Sequence, residues 1–419
     1  MVSCFSGFKN NKVKNFILPY LLILISSNFF GQNLNTDTVS IYKTGKSYTV
    51  NKFCMGVDLS YVNQVEDNGG VFKMNDVEMD PYEIFAKTGA NTVRVRLWHN
   101  PDWYKDIYGT DGRLYSDLND VTKTIQRSKE MGMAVNLDIH YSDVWADPGH
   151  QQPPEAWSQI KDIDVLKDSV YNYTFQTLHY LSENGIMPEF IQIGNETNCG
   201  MMISDVEPQF PNLNVCKGHF DSLGIIINAD IQAVRDASAS TDIKPKIILH
   251  VADPKNLTWW FENIIHEGKV KDFDIIGFSY YFKWHTEIPF HELGKKIAEI
   301  KGQFQKEVMI VETAYPFTDK NIDEYNNIFG LDKPVDGYPY TVQGQYNYLK
   351  DLTQMVIDAG GTGVMYWEPA WITSQMRDLW GKGSAWENNT LFDFQGNLLP
   401  SINYLTYPYR FPDINNKEL

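Results

Sequence analysis

The sequence predicts an α/β fold, a single (β/α)8 TIM barrel with decorated βα loops, and three observations lead there. Eight short apolar runs recur along the chain, amphipathic stretches fill the gaps between them, and most of the runs stop at polar, charged or aromatic residues. Parallel strands buried on both faces read as continuous apolar runs, and β alternating with α over a whole chain closes a parallel sheet on itself. A doubly wound open sheet is the alternative. Its nucleotide-binding version is weakened because no GxGxxG follows the first run.

Taken in order, the first expected strand covers residues 53–59 and leads through Asp58. The second, 92–97, places Arg94 and Arg96 on one face and is followed by Trp98. Ser116 or Asp117 caps the next helix, which carries Val121 and Ile125 on one side and ends at Gly132. The third strand, 134–139, holds Asp138 and runs into His140. After an amphipathic stretch near 165–184 comes the fourth, 190–193, closed by Asn195 and Glu196. A helix near 222–236 leads to the fifth, 247–251, with His250 and then Asp253. The sixth, 275–279, is followed by Tyr280, Tyr281 and His285. A helix near 291–304 precedes the seventh, 308–311, which stops at Glu312. Val342, Tyr346, Leu349, Leu352 and Val356 then follow helical spacing up to Gly360-Gly361, before the eighth strand, 363–367, ending in Trp367 and Glu368.

No linker, repeat or low-complexity tract divides the 419 residues, and barrels with insertions reach this length as one domain. The expected division is an export signal at 1–32, a lead-in segment at 33–52 and a catalytic barrel at 53–410. Lys9, Lys12 and Lys14 precede an apolar stretch at 16–25 and the small polar residues Ser26 and Ser27, a basic n-region, h-region and cleavage zone. About ten apolar residues are too few for a span of roughly 20, and Pro19 interrupts them. A membrane anchor is the alternative. The expected location is therefore outside the cytoplasm, in a periplasm, at the cell surface or released.

The net charge of −17 argues against nucleic acid and polyanionic substrates as partners. Aromatic residues make up 14% of the chain, enough to leave Trp and Tyr over for a binding surface. Cys199 and Cys216 bracket the loop after the Glu196 strand, where a bridge would pin it, and Cys54 is expected as a buried free thiol. None of these cysteines has metal-site spacing.

In such a barrel all strand ends face one rim. One solvated Glu at a strand end is ordinary, and Arg94 with Arg96 could simply pair with Asp58 or Asp138 as buried structure. Polar groups at the ends of so many strands together point instead to an active site. Two strand-end carboxyls, Glu196 and Glu312, suit retaining glycoside hydrolysis, in which a protonated one serves the leaving oxygen and an ionised one attacks the anomeric carbon. Asn195 is expected to bond the sugar 2-hydroxyl, and Arg96 to hold the nucleophile ionised. Asp58, His140, His250, Tyr281 and His285 complete the expected binding set. Trp367 is expected as the floor under the reactive sugar, with Trp98, Trp145, Trp371 and Trp386 at neighbouring subsites.

Several stretches resemble glycoside hydrolase family 53, the endo-β-1,4-galactanases. They are Gly56 to Tyr61, Val93 to Trp98, His140 to Gly149, Ile193 to Glu196, Ser279 to Tyr281 with Trp284-His285, Val311 to Pro316 and Tyr366 to Trp371. The resemblance implies Glu196 as acid/base, Glu312 as nucleophile and the β-1,4-galactan of pectin as substrate. A β-mannanase or β-glucanase with the same mechanism, and a glycan-binding barrel without turnover, are the competing readings. Bacterial relatives often hold calcium after the seventh strand. Here Asp319, Asp323, Asp332 and Asp336 are scattered without a DxDxN-type run, so neither calcium nor any other cofactor is expected, and a monomer is.

Overall fold

The computed structural model describes residues 53–110, 112–204, 207–329 and 332–412. The expected export signal and lead-in segment lie outside the described residues. Eight parallel strands close a barrel: β1 Cys54–Asp58, β2 Thr92–Leu97, β3 Ala134–Ile139, β4 Phe190–Ile193, β5 Lys246–Val251, β6 Ile275–Tyr280, β7 Glu307–Thr313 and β8 Gly363–Tyr366. Each lies within a residue or two of its expected run, because apolar runs of this length have no other place to be buried.

Helices α1 Pro81–Lys87, α2 Leu118–Glu130, α3 Ile163–Glu183, α4 Phe220–Ala237, α5 Leu257–His266, α6 Leu293–Phe304 and α7 Val342–Asp358 occupy the connections. Asp117, rather than Ser116, caps α2, its carboxylate accepting from the Asp120 N–H at 2.9 Å. After β8 the outer layer is continued by a 3-10 segment, Pro400–Thr406, packed against α7. Helix α5 was not among the helices expected from the sequence, although Leu257, Trp260, Phe261 and Ile264 bury one face of it at helical spacing.

Alternation sorts each strand into two faces. Val93, Val95 and Leu97, with Val135, Leu137 and Ile139, join the large core between strands and helices. The lumen has an apolar lower layer of Cys54, Ala134, Phe190, Ile248, Ile275, Met309, Val311 and Met365. A Cβ at Gly56 would lie 2.4 Å from the Met365 side chain, so this plug has no spare room. Cys54 is the buried free thiol expected, its pKa pushed up to about 12 by burial. Above the plug the lumen-facing positions turn polar, and the chemistry begins there.

One departure from regular pairing positions the site. Strand β7 carries an extra residue against both neighbours: Phe278 and Ser279 of β6 pair with Ile310 and Glu312, and Val364 and Tyr366 of β8 with Ile310 and Thr313. Strict alternation after lumen-facing Met309 and Val311 would send Glu312 outward to the helices. The bulge turns it back over the lumen, the kind of re-aiming for which bulges occur beside active sites.

Candidate active site

Arg94 is the hub of the polar layer. Its guanidinium meets Asp58 at 2.7 Å, Asp138 at 2.7 Å and Glu312 at 2.8 Å, and donates to Asn195 Oδ1 at 2.8 Å. The expected partner of the nucleophile was Arg96, and this is corrected: Arg96 pairs with Glu368 at 2.9 Å. Both arginines face the lumen, but Arg96 lies two residues further along β2, with Asp138 as its neighbour in register on β3. Its guanidinium lies 4.1 Å from the ring centre of Tyr61, 4.8 Å from Trp98 and 4.2 Å from Trp145. These contacts hold a cation that is almost fully buried.

Glu196 follows β4 through Gly194 and Asn195, and its own φ is 48°, a left-handed conformation in which non-glycine residues cluster at functional sites. The segment is fixed on all sides. Thr197 N–H donates to His250 O at 2.9 Å, Gln151 donates to Asn195 O at 2.8 Å, and the Asn195 amide donates to Ala146 O at 2.7 Å. A disulfide joins Cys199 to Cys216 and closes the loop beyond, as expected. The Glu196 carboxylate accepts from Ser279 Oγ at 2.6 Å, and the Tyr281 hydroxyl donates to Glu312 at 3.0 Å. One carboxylate oxygen each from Glu196 and Glu312, with a His250 ring nitrogen, lie within 4.8 Å of one another.

The two carboxyls titrate in different surroundings. Burial and the nearby Glu312 charge raise Glu196 well above the ordinary glutamate value. Burial also raises Glu312, to about 7, but there Arg94 opposes it directly. The ordering leaves the proton on Glu196 when Glu312 has lost its own. Burial, then the Arg94 charge, press His250 well below the usual histidine range, so its ring is neutral. Glu368, raised to about 8 by burial and the Asp58 charge against the pull of Arg96, is a third buried carboxyl.

The remaining expected binding residues lie here with differing access. Asp58 is consumed by Arg94 and by Ser60, whose hydroxyl donates to it at 2.5 Å. His140 has Asp138 on Nε2 at 3.0 Å and receives Trp98 Nε1 and the Ala146 N–H on Nδ1. His285 accepts the Tyr281 N–H at 3.1 Å, which fixes the tyrosine that bonds Glu312. Each of these groups is taken up by a protein partner in the polar layer. Of the five tryptophans expected to stack on sugars, Trp98, Trp371 and Trp386 are buried with no open ring face, whereas Trp145 and Trp367 remain partly exposed. Their ring centres are 5.6 Å apart.

Of the scattered acids after β7, Asp332 pairs with Lys283 at 2.8 Å and Asp336 with Lys333 at 2.7 Å. Asp323 accepts from the Tyr325 N–H at 2.8 Å and the Ser384 N–H at 2.7 Å. Gln192 and Ser279 are site residues that sequence reasoning missed, since a Gln or Ser inside a strand carries no distinctive signal.

The family model of Glycosyl hydrolase family 53 matches residues 54–405. An arabinogalactan endo-beta-1,4-galactanase of Cellvibrio japonicus is 41% identical over 362 residues, 85% of this chain and 92% of that protein. An endo-beta-1,4-galactanase of Bacillus subtilis is 30% identical over 394 residues, covering 85% and 86%. Among solved structures, the GH53 catalytic domain of Ignisphaera aggregans superposes with a TM-score of 0.75 at 30% identity, covering 87% of this chain and 98% of that one.

Proposed function

The chain belongs to glycosyl hydrolase family 53, and from that premise we propose that it is an exported, retaining endo-β-1,4-galactanase acting on the galactan backbone of pectic type I arabinogalactan. The observation that supports the mechanism is that one carboxylate oxygen of Glu196 and one of Glu312 lie within 4.8 Å of each other. Retaining enzymes hold their carboxyls about 5–5.5 Å apart, whereas inverting ones leave roughly 6.5–9.5 Å for a water.

Glu312 attacks the anomeric carbon while Glu196 gives its proton to the departing glycosidic oxygen, which forms a glycosyl ester and frees one end of the chain. Glu196, now ionised, takes a proton from water as that water attacks the same carbon. The ester breaks, Glu312 recovers its charge, and Glu196 is protonated again. Arg94 keeps the leaving carboxylate stable in the second step. Asn195, with one amide hydrogen on Ala146 O, has the other for the sugar 2-hydroxyl. Trp367 and Trp145 offer the flat apolar faces that sugar rings need.

An acidic protein suits a neutral polysaccharide, and the basic and apolar start of the chain supports export. The enzyme acts as a monomer without calcium in the loop after β7. Incubating the mature protein with linear β-1,4-galactan is expected to give shortened oligosaccharides whose new reducing ends are first released as β anomers, and EDTA should leave the rate unchanged. Hydrolysis of mannan or glucan with none of galactan would overturn the substrate, and first-formed α anomers would overturn the mechanism.

A further inference from the structure

Ser279 connects Glu196 to His250, and the direction of its hydrogen bonds can be worked out. Gln192 Nε2 lies 3.0 Å from His250 Nδ1, and the Glu196 backbone N–H donates to the same nitrogen at 3.3 Å. The Asn195 side-chain Oδ1 is also 2.9 Å from Nδ1, but it already receives Arg94 at 2.8 Å, and of the two Gln192 amide hydrogens Asp138 takes one at 2.7 Å, which leaves one for Nδ1. With two N–H groups aimed at it, Nδ1 is the acceptor and the ring proton sits on Nε2. Nε2 then donates to Ser279 Oγ at 2.9 Å, and the serine has a single hydrogen left, directed to Glu196 Oε1 at 2.6 Å. Ser279 is fully buried, and its N–H is held by Ala252 O at 3.0 Å.

We propose that Ser279 is a positioning residue of the acid/base step: aimed by the His250 ring, its hydroxyl occupies Oε1 of Glu196 and so reserves Oε2 for the transferable proton. The proposal rests on Glu196 being the acid/base. A carboxyl free to rotate carries its proton on either oxygen, and only one of these faces the leaving group. Regular alternation along β6 after lumen-facing Ile275 and Gly277 turns Ser279 inward, and the extra residue of β7 beside it brings Glu312 to the same side. Without the serine the acid proton would be shared between the two oxygens and the carboxyl would lose a fixed partner.

The test compares Ser279→Ala, Ser279→Cys and Glu196→Ala on aryl β-galactobiosides whose leaving groups run from dinitrophenol to phenol, with kcat/KM as readout. A hydrogen bond to a carboxyl that becomes charged as its proton leaves accounts for roughly 10- to 100-fold in rate. Ser279→Ala is expected to lose that much on phenyl substrates and on galactan, and less than about threefold on the dinitrophenyl substrate, which needs no acid. Ser279→Cys, near-isosteric and a weak donor, should fall between, and melting temperatures identify any variant that fails to fold. An equal loss across the series for the serine variants, with Glu196→Ala still leaving-group dependent, overturns this proposal alone. A flat series for Glu196→Ala overturns the acid/base reading beneath it.

Discussion

Replacing Arg94 by leucine would leave Asp58, Asp138 and Glu312 facing one another around a buried space with no cation among them. Arg94 now approaches all three within 2.8 Å. An opposite charge at such range lowers a carboxyl pKa by about 1–3 units, so its loss should lift Glu312 from about 7 by a similar amount. At pH 7 the ionised fraction then falls from about one half to between roughly one in ten and one in a thousand, which reduces kcat/KM roughly 5- to 500-fold. The sign is specific: the variant should recover as pH rises, because the acid limb of kcat/KM has moved up by about 1–3 units. Breaking a buried ion pair also costs about 3–5 kcal/mol, so the profile is read below the variant's own melting temperature. Arg94→Lys, which keeps the charge and loses the fork, should show a smaller displacement of the limb. A uniform loss at every pH, with the acid limb unmoved, would refute the assignment of Arg94 as the group that keeps Glu312 ionised.

Other expectations rest on other parts of the molecule. Removing the Cys199–Cys216 bridge, whose partners are 17 residues apart, should cost about 3 kcal/mol and lower the melting temperature; no change would contradict a role in holding the loop beyond Glu196. Trp367→Ala should cost roughly 5- to 30-fold in kcat/KM on galactan through lost apolar contact, while Trp386→Phe, behind it, should mainly change stability. Asp230, buried between Tyr141 and Thr174, is raised by burial from its ordinary 3.8 to about 7. Between those values the folded chain holds a proton that the unfolded chain has released, so stability falls as pH rises from about 4 to about 7. Asp230→Asn should therefore gain stability relative to the parent at pH 8 compared with pH 5, by roughly 2.6 kcal/mol, and the opposite trend in melting temperatures would contradict it.

The barrel was legible because its strands are short apolar runs with polar ends, and strand ends converge on one rim in this fold. The helices α2 and α7 were equally clear, and α5, only 10 residues long and dense in aromatics, was passed over despite its regular buried face. Within the site, periodicity placed Arg94 and Arg96 on one face and could go no further. Which arginine meets Glu312 depends on height in the lumen, a property of barrel register. The bulge at Glu312 was hidden for a related reason, since alternation alone would have turned this glutamate outward. Ser279 was missed because one hydroxyl in a strand is unremarkable until two other strands bring Glu196 and His250 to it. Trp98 and Trp367 both end strands; one is buried against Arg96 and the other lies open, a difference made by neighbouring loops.

The division of labour between Glu196 and Glu312 is tested most directly by azide rescue of the two alanine variants on an activated aryl β-galactobioside. Both variants should lose orders of magnitude of rate on galactan. Azide should enter Glu312→Ala in place of the nucleophile and give an α-glycosyl azide, and should intercept the glycosyl ester of Glu196→Ala and give the β-glycosyl azide. The same anomer from both variants, or the two anomers exchanged, would contradict the roles assigned to the pair.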